Sequence, residues 1–378
     1  MTTLFHGARK LDVTGQIDDF WMLVRDGTIV ETGSGRDLPQ STEVVEVAGR
    51  WMVPGFIDLH GHGGGGHAYD DGPAEIGAAL AAHRAHGTTR SVLSLVANPI
   101  AQLRESLSVI ADLTASDPLV LGSHLEGPFL APARRGAHNS AFLLEPTPYQ
   151  VDELLEASRG TLRQVTIAPE LPNALDVIDV LVENMVTVAV GHTDATLEIT
   201  REAFDRGARL LTHAFNAMPG IHHRAPGPVV AAFGDERVSI ELILDGRHVH
   251  PDVAALAFRE APNRVALVTD AMAAAGATDG NYRLGSLNVT VRDGLAVLSG
   301  TSTIAGSTLT QDVALRCAIE HAKVSPRDAV AALTATPARV LGLEHRLGRL
   351  SPGIAADAVL LDNDWHVSEV WANGLQIA

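Results

Sequence analysis

Five short segments of this 378-residue chain place a metal-binding or proton-carrying side chain directly after an apolar run. They are Asp58-Leu59-His60-Gly61-His62, His124-Leu125-Glu126-Gly127-Pro128, Gly191-His192-Thr193-Asp194, Thr212-His213-Ala214-Phe215-Asn216 and Val268-Thr269-Asp270-Ala271. Imidazole and carboxylate donors together suit a borderline divalent cation such as zinc, iron, cobalt or manganese. The set leaves open one ion or two. His60 and His62 stand two residues apart, so at a strand end both project to one side and can reach one ion. Glu126 could bind one ion or bridge two, and the same residue could equally cap a helix or form a surface ion pair. A lone histidine after a strand is more often structural. His192 and His213, after consecutive strands and with Glu126, His60 and His62 available, reverse that expectation. Asp270 could accept a proton from a cation-held water, whose pKa falls toward ~7, or it could cap a helix opening at Ala271-Met272. Hydrolysis assisted by a metal is the chemistry this set implies.

Further polar groups fall in other loops after strands. His138 lies near Arg134 and Arg135 and could polarise a carbonyl. Arg224 and His248 add local cations to a chain of formal charge −17. They either recognise an anionic substrate or are solvated loop charge. Gly63 to Gly66 is no phosphate loop, because no Gly-Lys-Ser/Thr follows.

The elements that must position these groups alternate along the chain. Phe56–Leu59, Arg90–Val96, Leu119–Ser123, Gln164–Ile167, Val186–Val190, Arg209–Leu211, Val238–Leu242 and Val265–Val268 read as buried strands, each trailed by a helical stretch, the first over 73–86. Eight such units predict a (β/α)8 barrel over 54–345, whose strand ends all open on one face. Residues 1–53 and 346–378 carry short strands and turns (Asp26-Gly27, Asn373-Gly374) with too little apolar surface to fold alone. They are expected to build one small β-sandwich. Residues 282–298 read as a hairpin around Asp293-Gly294. Late helices are expected from Thr308 and from Ser325-Pro326, where Ser325 and Asp328 resemble a capping box.

Composition narrows the class. Hydrophobic content of 46% supports a large core, and the acidic balance argues against a nucleic-acid surface. The lone Cys317 permits no intrachain disulfide and is expected to be buried on a stripe with Leu309 and Val313. Neither a signal peptide nor a membrane span is expected, which makes a cytoplasmic location the default.

Pro54 to His62, followed by His192, His213, Asp270 and the closing Gly348 to Asp357, resembles the amidohydrolase superfamily. Within it, His124-Leu125-Glu126-Gly127-Pro128-Phe129, Gly136-Ala137-His138, Gly191-His192-Thr193, Thr212 to Met218 and Asp245-Gly246-Arg247-His248 are similar to the N-acetylglucosamine-6-phosphate deacetylase family, over nearly the whole chain. The resemblance implies Glu126, His192 and His213 as metal ligands, with His60 and His62 matching a pair that holds a second metal in some members. It implies Asp270 as acid and base, and His138 at the scissile carbonyl. Asn216, Ala217 and His248 match sugar-phosphate contacts, and Ile304, Ala305 and Gly306 match a loop lining the sugar pocket. Arg224 matches a phosphate-binding residue that crosses from the second subunit of a homodimer. The implied substrate is an amino-sugar phosphate. Members acting on cyclic amides carry a lysine after the fourth strand, where this chain has Ala168-Pro169-Glu170. A non-catalytic sensor on the same fold would have lost ligands or base, and all are present here.

Overall fold

The computed structural model describes residues 2–378. Eight parallel strands form its central sheet: β1 (Phe56–Asp58), β2 (Thr88–Val96), β3 (Val120–Glu126), β4 (Leu162–Ile167), β5 (Thr187–Val190), β6 (Leu210–Leu211), β7 (Ser239–Leu242) and β8 (Val265–Leu267). The helices that follow are α1 (Pro73–Arg84), α2 (Ile100–Ser116), α3 (Pro148–Ser158), α4 (Ala174–Glu183), α5 (Leu197–Asp205), α6 (Gly227–Phe233), α7 (Pro251–Glu260) and α8 (Gln311–Arg316). All residues of β2 and β3 are buried, which explains their unbroken apolar runs: barrel strands are covered by helices outside and by each other inside.

The sheet runs in order from β1 to β8, and no strand ladder joins those two. Closure comes just beyond their ends. Asp270 N–H donates to the His60 carbonyl at 2.8 Å, and His62 N–H to the Ala271 carbonyl at 2.7 Å. The seam of the barrel is therefore made by residues of the motifs themselves.

Both chain ends share a second, mixed sheet. Strands Thr2–Asp12, Gly15–Arg25, Thr28–Ser34, Glu43–Glu46 and Trp51–Pro54 join Ala358–Leu361, Val367–Ala372 and Leu375–Gln376. Phe5, Met22 and Ile29 pack with Leu350, Ala358 and Leu360 in one core, so neither end buries its apolar face without the other. Arg90, early in β2, is bidentate to Asp357 at 2.7 and 3.0 Å and also bonds Asn373, which ties this sheet to the barrel. Both partners are buried, and removing one of such a pair costs about 3–5 kcal/mol.

Some sequence expectations are corrected in detail. The segment read as a hairpin is three strands, Gly280–Leu284, Leu287–Arg292 and Leu295–Leu298, because a further turn forms at Gly285-Ser286. It packs Leu284, Val289 and Ala296 on Met272 and Ala305, beside the strand-end face. The late helix starts at Gln311, after Thr310, and not at Thr308. Ser325 caps the helix Pro326–Leu333 through the Asp328 N–H, but Asp328 is too short for a full box and accepts from the Ser325 hydroxyl instead. Cys317 opens a π-helical turn (Cys317–His321) directly after α8 and is half-buried, packed against the same core as Val313 and less buried than expected. Among the described residues no helix is long and apolar enough to cross a membrane.

Candidate active site

Glu126, the last residue of β3, is 3% exposed and sits at the centre of five imidazoles. His192 Nε2 and His213 Nε2 each lie 3.0 Å from its Oε1. His62 Nε2 and His138 Nε2 lie 3.1 and 3.2 Å from its Oε2, and His60 Nε2 lies 3.4 Å from Oε1. Asp270 Oδ1 closes the group, 3.3 Å from His62 Nε2 and 3.5 Å from His60 Nε2. The surface alternatives for Glu126 are thus excluded. The capping alternative for Asp270 fails too, since residues 271–276 form a bridge and turns and no helix.

The local backbone aims these side chains inward at some cost. His192, His213 and Asp270 have φ of 47°, 25° and 46°, a region that non-glycine residues rarely adopt and that clusters at functional sites. Before His192, Gly191 packs so closely on β6 that an added Cβ would lie 2.5 Å from Thr212 Cβ. Below the cluster, Ser94, His124, Thr166 and Thr212 form a buried hydrogen-bonded chain across β2, β3, β4 and β6. His124 belongs to that chain, and burial pushes its pKa well below the usual value, so it is a neutral structural group.

The donor chemistry fits a divalent cation. Two sets of atoms lie within 4.8 Å of one another: His60, His62, Glu126 and Asp270, and Glu126, His192 and His213. His192 donates its Nδ1–H to the Arg134 carbonyl at 2.8 Å, which leaves a lone pair on Nε2. That Nε2 is only 3.0 Å from His213 Nε2, an approach that needs a proton or a cation to relieve it. His60 has a similar arrangement, with Nδ1 3.2 Å from Glu241 Oε2.

His138 is held differently. Its Nδ1 accepts from the Ala97 N–H at 3.2 Å, so the ring proton sits on Nε2 and points at the cluster. Burial lowers its pKa despite Glu126, which keeps it a neutral donor. His248 donates Nδ1–H to Asp245 at 2.7 Å. Burial opposes its charge, but the Asp245 carboxylate outweighs that and raises its pKa.

A cavity of about 210 Å³ lies over the cluster, lined by Asn216, Ala217, His248, Leu284, Ile304 and Gly306 as well as the residues above. Ala305 is buried behind its two neighbours. Arg224 is exposed beside His223 and does not line the cavity within this chain. Clefts of about 810 and 790 Å³ open at the other end of the barrel, beside the strand starts at Val120 and Ser239. They hold no histidine, so size alone would misplace the site. Sequence reading missed Glu241 and gave no role to Asp245, Asp58 and Thr269, which it quoted only within motifs. A glutamate inside the buried run Ser239–Leu242 was the available signal for the first.

The ionisation of the cluster gives a testable pH effect. Burial works against a charged His62, but hydrogen bonds and attraction from Asp270 and Glu126 set its pKa to about 9. His60 is likewise raised well above its usual value, with Glu126 and Asp270 overcoming burial. A folded-state pKa above the unfolded ~6.5 stabilises the metal-free fold fully below that pH. The benefit is lost as pH rises through about 9. Metal requires those nitrogens deprotonated, so its binding strengthens over the same interval. Between those pH values the metal-free Tm is expected to fall while the increment in Tm on adding metal grows. Thermal melts with and without chelator check this, and an increment that shrinks with pH would place the metal elsewhere.

The amidohydrolase family model matches residues 51–376. The chain is 38% identical over 378 residues to N-acetylgalactosamine-6-phosphate deacetylase of Escherichia coli O157:H7, covering 99% of each chain. It is 36% identical over 375 residues to N-acetylglucosamine-6-phosphate deacetylase of Homo sapiens, covering 94% of this chain and 90% of that one. Among solved structures, an aspartate-to-alanine variant of N-acetyl-D-glucosamine-6-phosphate deacetylase from Mycobacterium smegmatis, in complex with N-acetyl-D-glucosamine-6-phosphate, matches with a TM-score of 0.94 and 40% identity over 100% of this chain and 99% of that one.

Proposed function

The chain belongs to the amidohydrolase family, and on that premise we propose that it hydrolyses the acetamido group of N-acetyl-D-glucosamine 6-phosphate to acetate and D-glucosamine 6-phosphate. The observation that carries this is the Glu126-centred cluster of five imidazoles with Asp270 at the floor of a cavity. Glu126, His192 and His213 would hold a divalent metal, with His60 and His62 available for a second; zinc suits the donors, as do iron, cobalt and manganese. Such an ion supplies Lewis acidity and makes water more acidic at neutral pH.

The remaining steps belong to the chain. Asp270 is ionised at neutral pH, because His60 and His62 outweigh the effect of burial and hold its pKa low. It takes a proton from the attacking water as the new C–O bond forms. The proton then passes to the amine nitrogen as the C–N bond breaks. His138 offers its Nε2–H to the carbonyl oxygen, where negative charge grows in the transition state. Asn216, the Ala217 backbone and His248 hold the sugar phosphate, and the wall at Ile304 to Gly306 shapes the pocket. Arg224 would reach the phosphate from a second copy in a homodimer, which accounts for its exposure here.

The galactosamine epimer is a second reading, favoured by the E. coli relative that matches 99% of the chain. One assay addresses both. Chelator-stripped protein, re-titrated with each divalent metal, is given the two N-acetylhexosamine 6-phosphates and their unphosphorylated forms, and acetate is measured. The larger kcat/KM assigns the epimer, and Arg224→Ala is expected to raise KM for the phosphorylated sugar only. No acetate from either sugar phosphate with any metal, in folded protein, sinks the reading.

A further inference from the structure

Of the imidazoles around Glu126, among the described residues only His60 and His192 give Nδ1 an acceptor that leaves Nε2 facing the cluster. His192 uses a backbone carbonyl. His60 uses a side chain, Glu241 Oε2, and that side chain does more than hold one ring. The same oxygen accepts the His213 backbone N–H at 3.2 Å, and Oε1 accepts Gln164 Nε2–H at 2.9 Å. The Glu241 carbonyl also accepts the Ala214 N–H at 2.8 Å. One residue of β7 thereby ties together the end of β1, the middle of β4 and the turn after β6.

Glu241 is 0% exposed, and among the described residues its ion-pair partner is His60, with no lysine or arginine beside it. An isolated carboxylate is expensive to bury, and packing alone would be served as well by an uncharged residue. Its contacts account for it. A carboxylate facing Nδ1 favours the tautomer with the proton on that nitrogen, which presents the Nε2 lone pair to the cluster. The other N–H it accepts belongs to His213, whose φ of 25° is strained and needs support from its surroundings.

We propose that Glu241 is a positioning residue for metal capture: it holds the Nδ1–H of His60, which turns Nε2 toward the cluster, and it pins the His213 turn, so that histidines from β1 and β6 are set before the cation arrives. This rests on the reading that the cluster holds a divalent metal. The part played by Glu241 is separable from that reading, because it is a ratio between variant and parent.

The test is zinc titration of chelator-stripped protein against a chromophoric competitor, for the parent and for Glu241→Gln, which keeps shape and removes the charge. A loss of affinity of about 10–100-fold is expected, the usual range for partners of ligating histidines. The metal-free Tm should fall as well, because the buried His60 Nδ1–H loses its carboxylate partner, so zinc affinity is the deciding readout. A purely structural role would lower the metal-free Tm with unchanged zinc affinity, and would overturn the proposal. Histidine ¹⁵N spectra of the zinc-loaded parent should show His60 protonated on Nδ1; protonation on Nε2 also overturns it. If Glu241→Gln does not fold, Gln164→Met removes a donor to Glu241 and no ligand. It should weaken zinc about threefold or more if the network works as a unit, and unchanged affinity refutes it. A parent that binds no zinc removes the metal reading and this proposal with it.

Discussion

Asp270→Asn is expected to lower kcat by about 10²–10⁴-fold, the usual contribution of a positioned acid or base, with kcat/KM falling in parallel. Asparagine fills the same volume, and the contacts that seat the residue are backbone ones, Asp270 N–H to the His60 carbonyl and Ser307 N–H to the Asp270 carbonyl. The barrel seam should therefore survive. What is lost is a group able to take a proton and return it. An ion held by Glu126, His192 and His213, as proposed, should remain, because that set does not include Asp270. Metal analysis beside steady-state kinetics separates the effects. Full metal with a large fall in kcat supports proton transfer, whereas turnover near that of the parent takes Asp270 out of the mechanism. Loss of metal in proportion to activity would make Asp270 a ligand first.

Several parts of this arrangement were legible in the sequence for a physical reason. A ligand residue directly after a buried strand has one place to go in a parallel barrel, the face where all strands end. His60, His62, Glu126, His192, His213 and Asp270 follow that rule, and the structure brings the four histidines to Glu126 or Asp270 with contacts of 3.0 to 3.5 Å. The supporting layer obeys no such rule. Glu241 lies inside β7, Thr269 bonds Asp58 across the barrel seam at 2.6 Å, and Asp245 is defined by a turn around His248. Each is set by a pairing between segments remote in sequence, or by a local turn with no periodic signature. The positive φ values at His192, His213 and Asp270 were hidden for a related reason: glycine advertises such conformations, and these residues adopt them only because neighbours compel it. Arg224 marks a further limit, since its exposed side chain gains a role only if another surface meets it.

Glu126→Gln should have the opposite signature to Asp270→Asn. Glu126 is the one residue common to both metal-binding sets, with Oε1 facing His192 and His213 and Oε2 facing His62 and His138. An amide keeps one neutral oxygen and turns a donor group toward the histidines. Zinc affinity is expected to fall by at least ~10²-fold, more than is typical for a supporting residue, and acetate release should fall to background at every metal concentration the protein tolerates. A second consequence follows from charge. Attraction to Glu126 is the largest effect raising the pKa of His60, and Glu126 also contributes to the value of about 9 at His62. Removing it should bring both values down, so the fall in metal-free Tm between pH ~6.5 and about 9 should flatten in the variant. Melts of stripped protein across that range check the electrostatics without reference to turnover. A variant that binds zinc like the parent, or keeps the parent's pH slope, would show that the five imidazoles do not depend on the carboxylate at their centre. Asp270 and Glu241 would then be left as the acidic groups able to organise them.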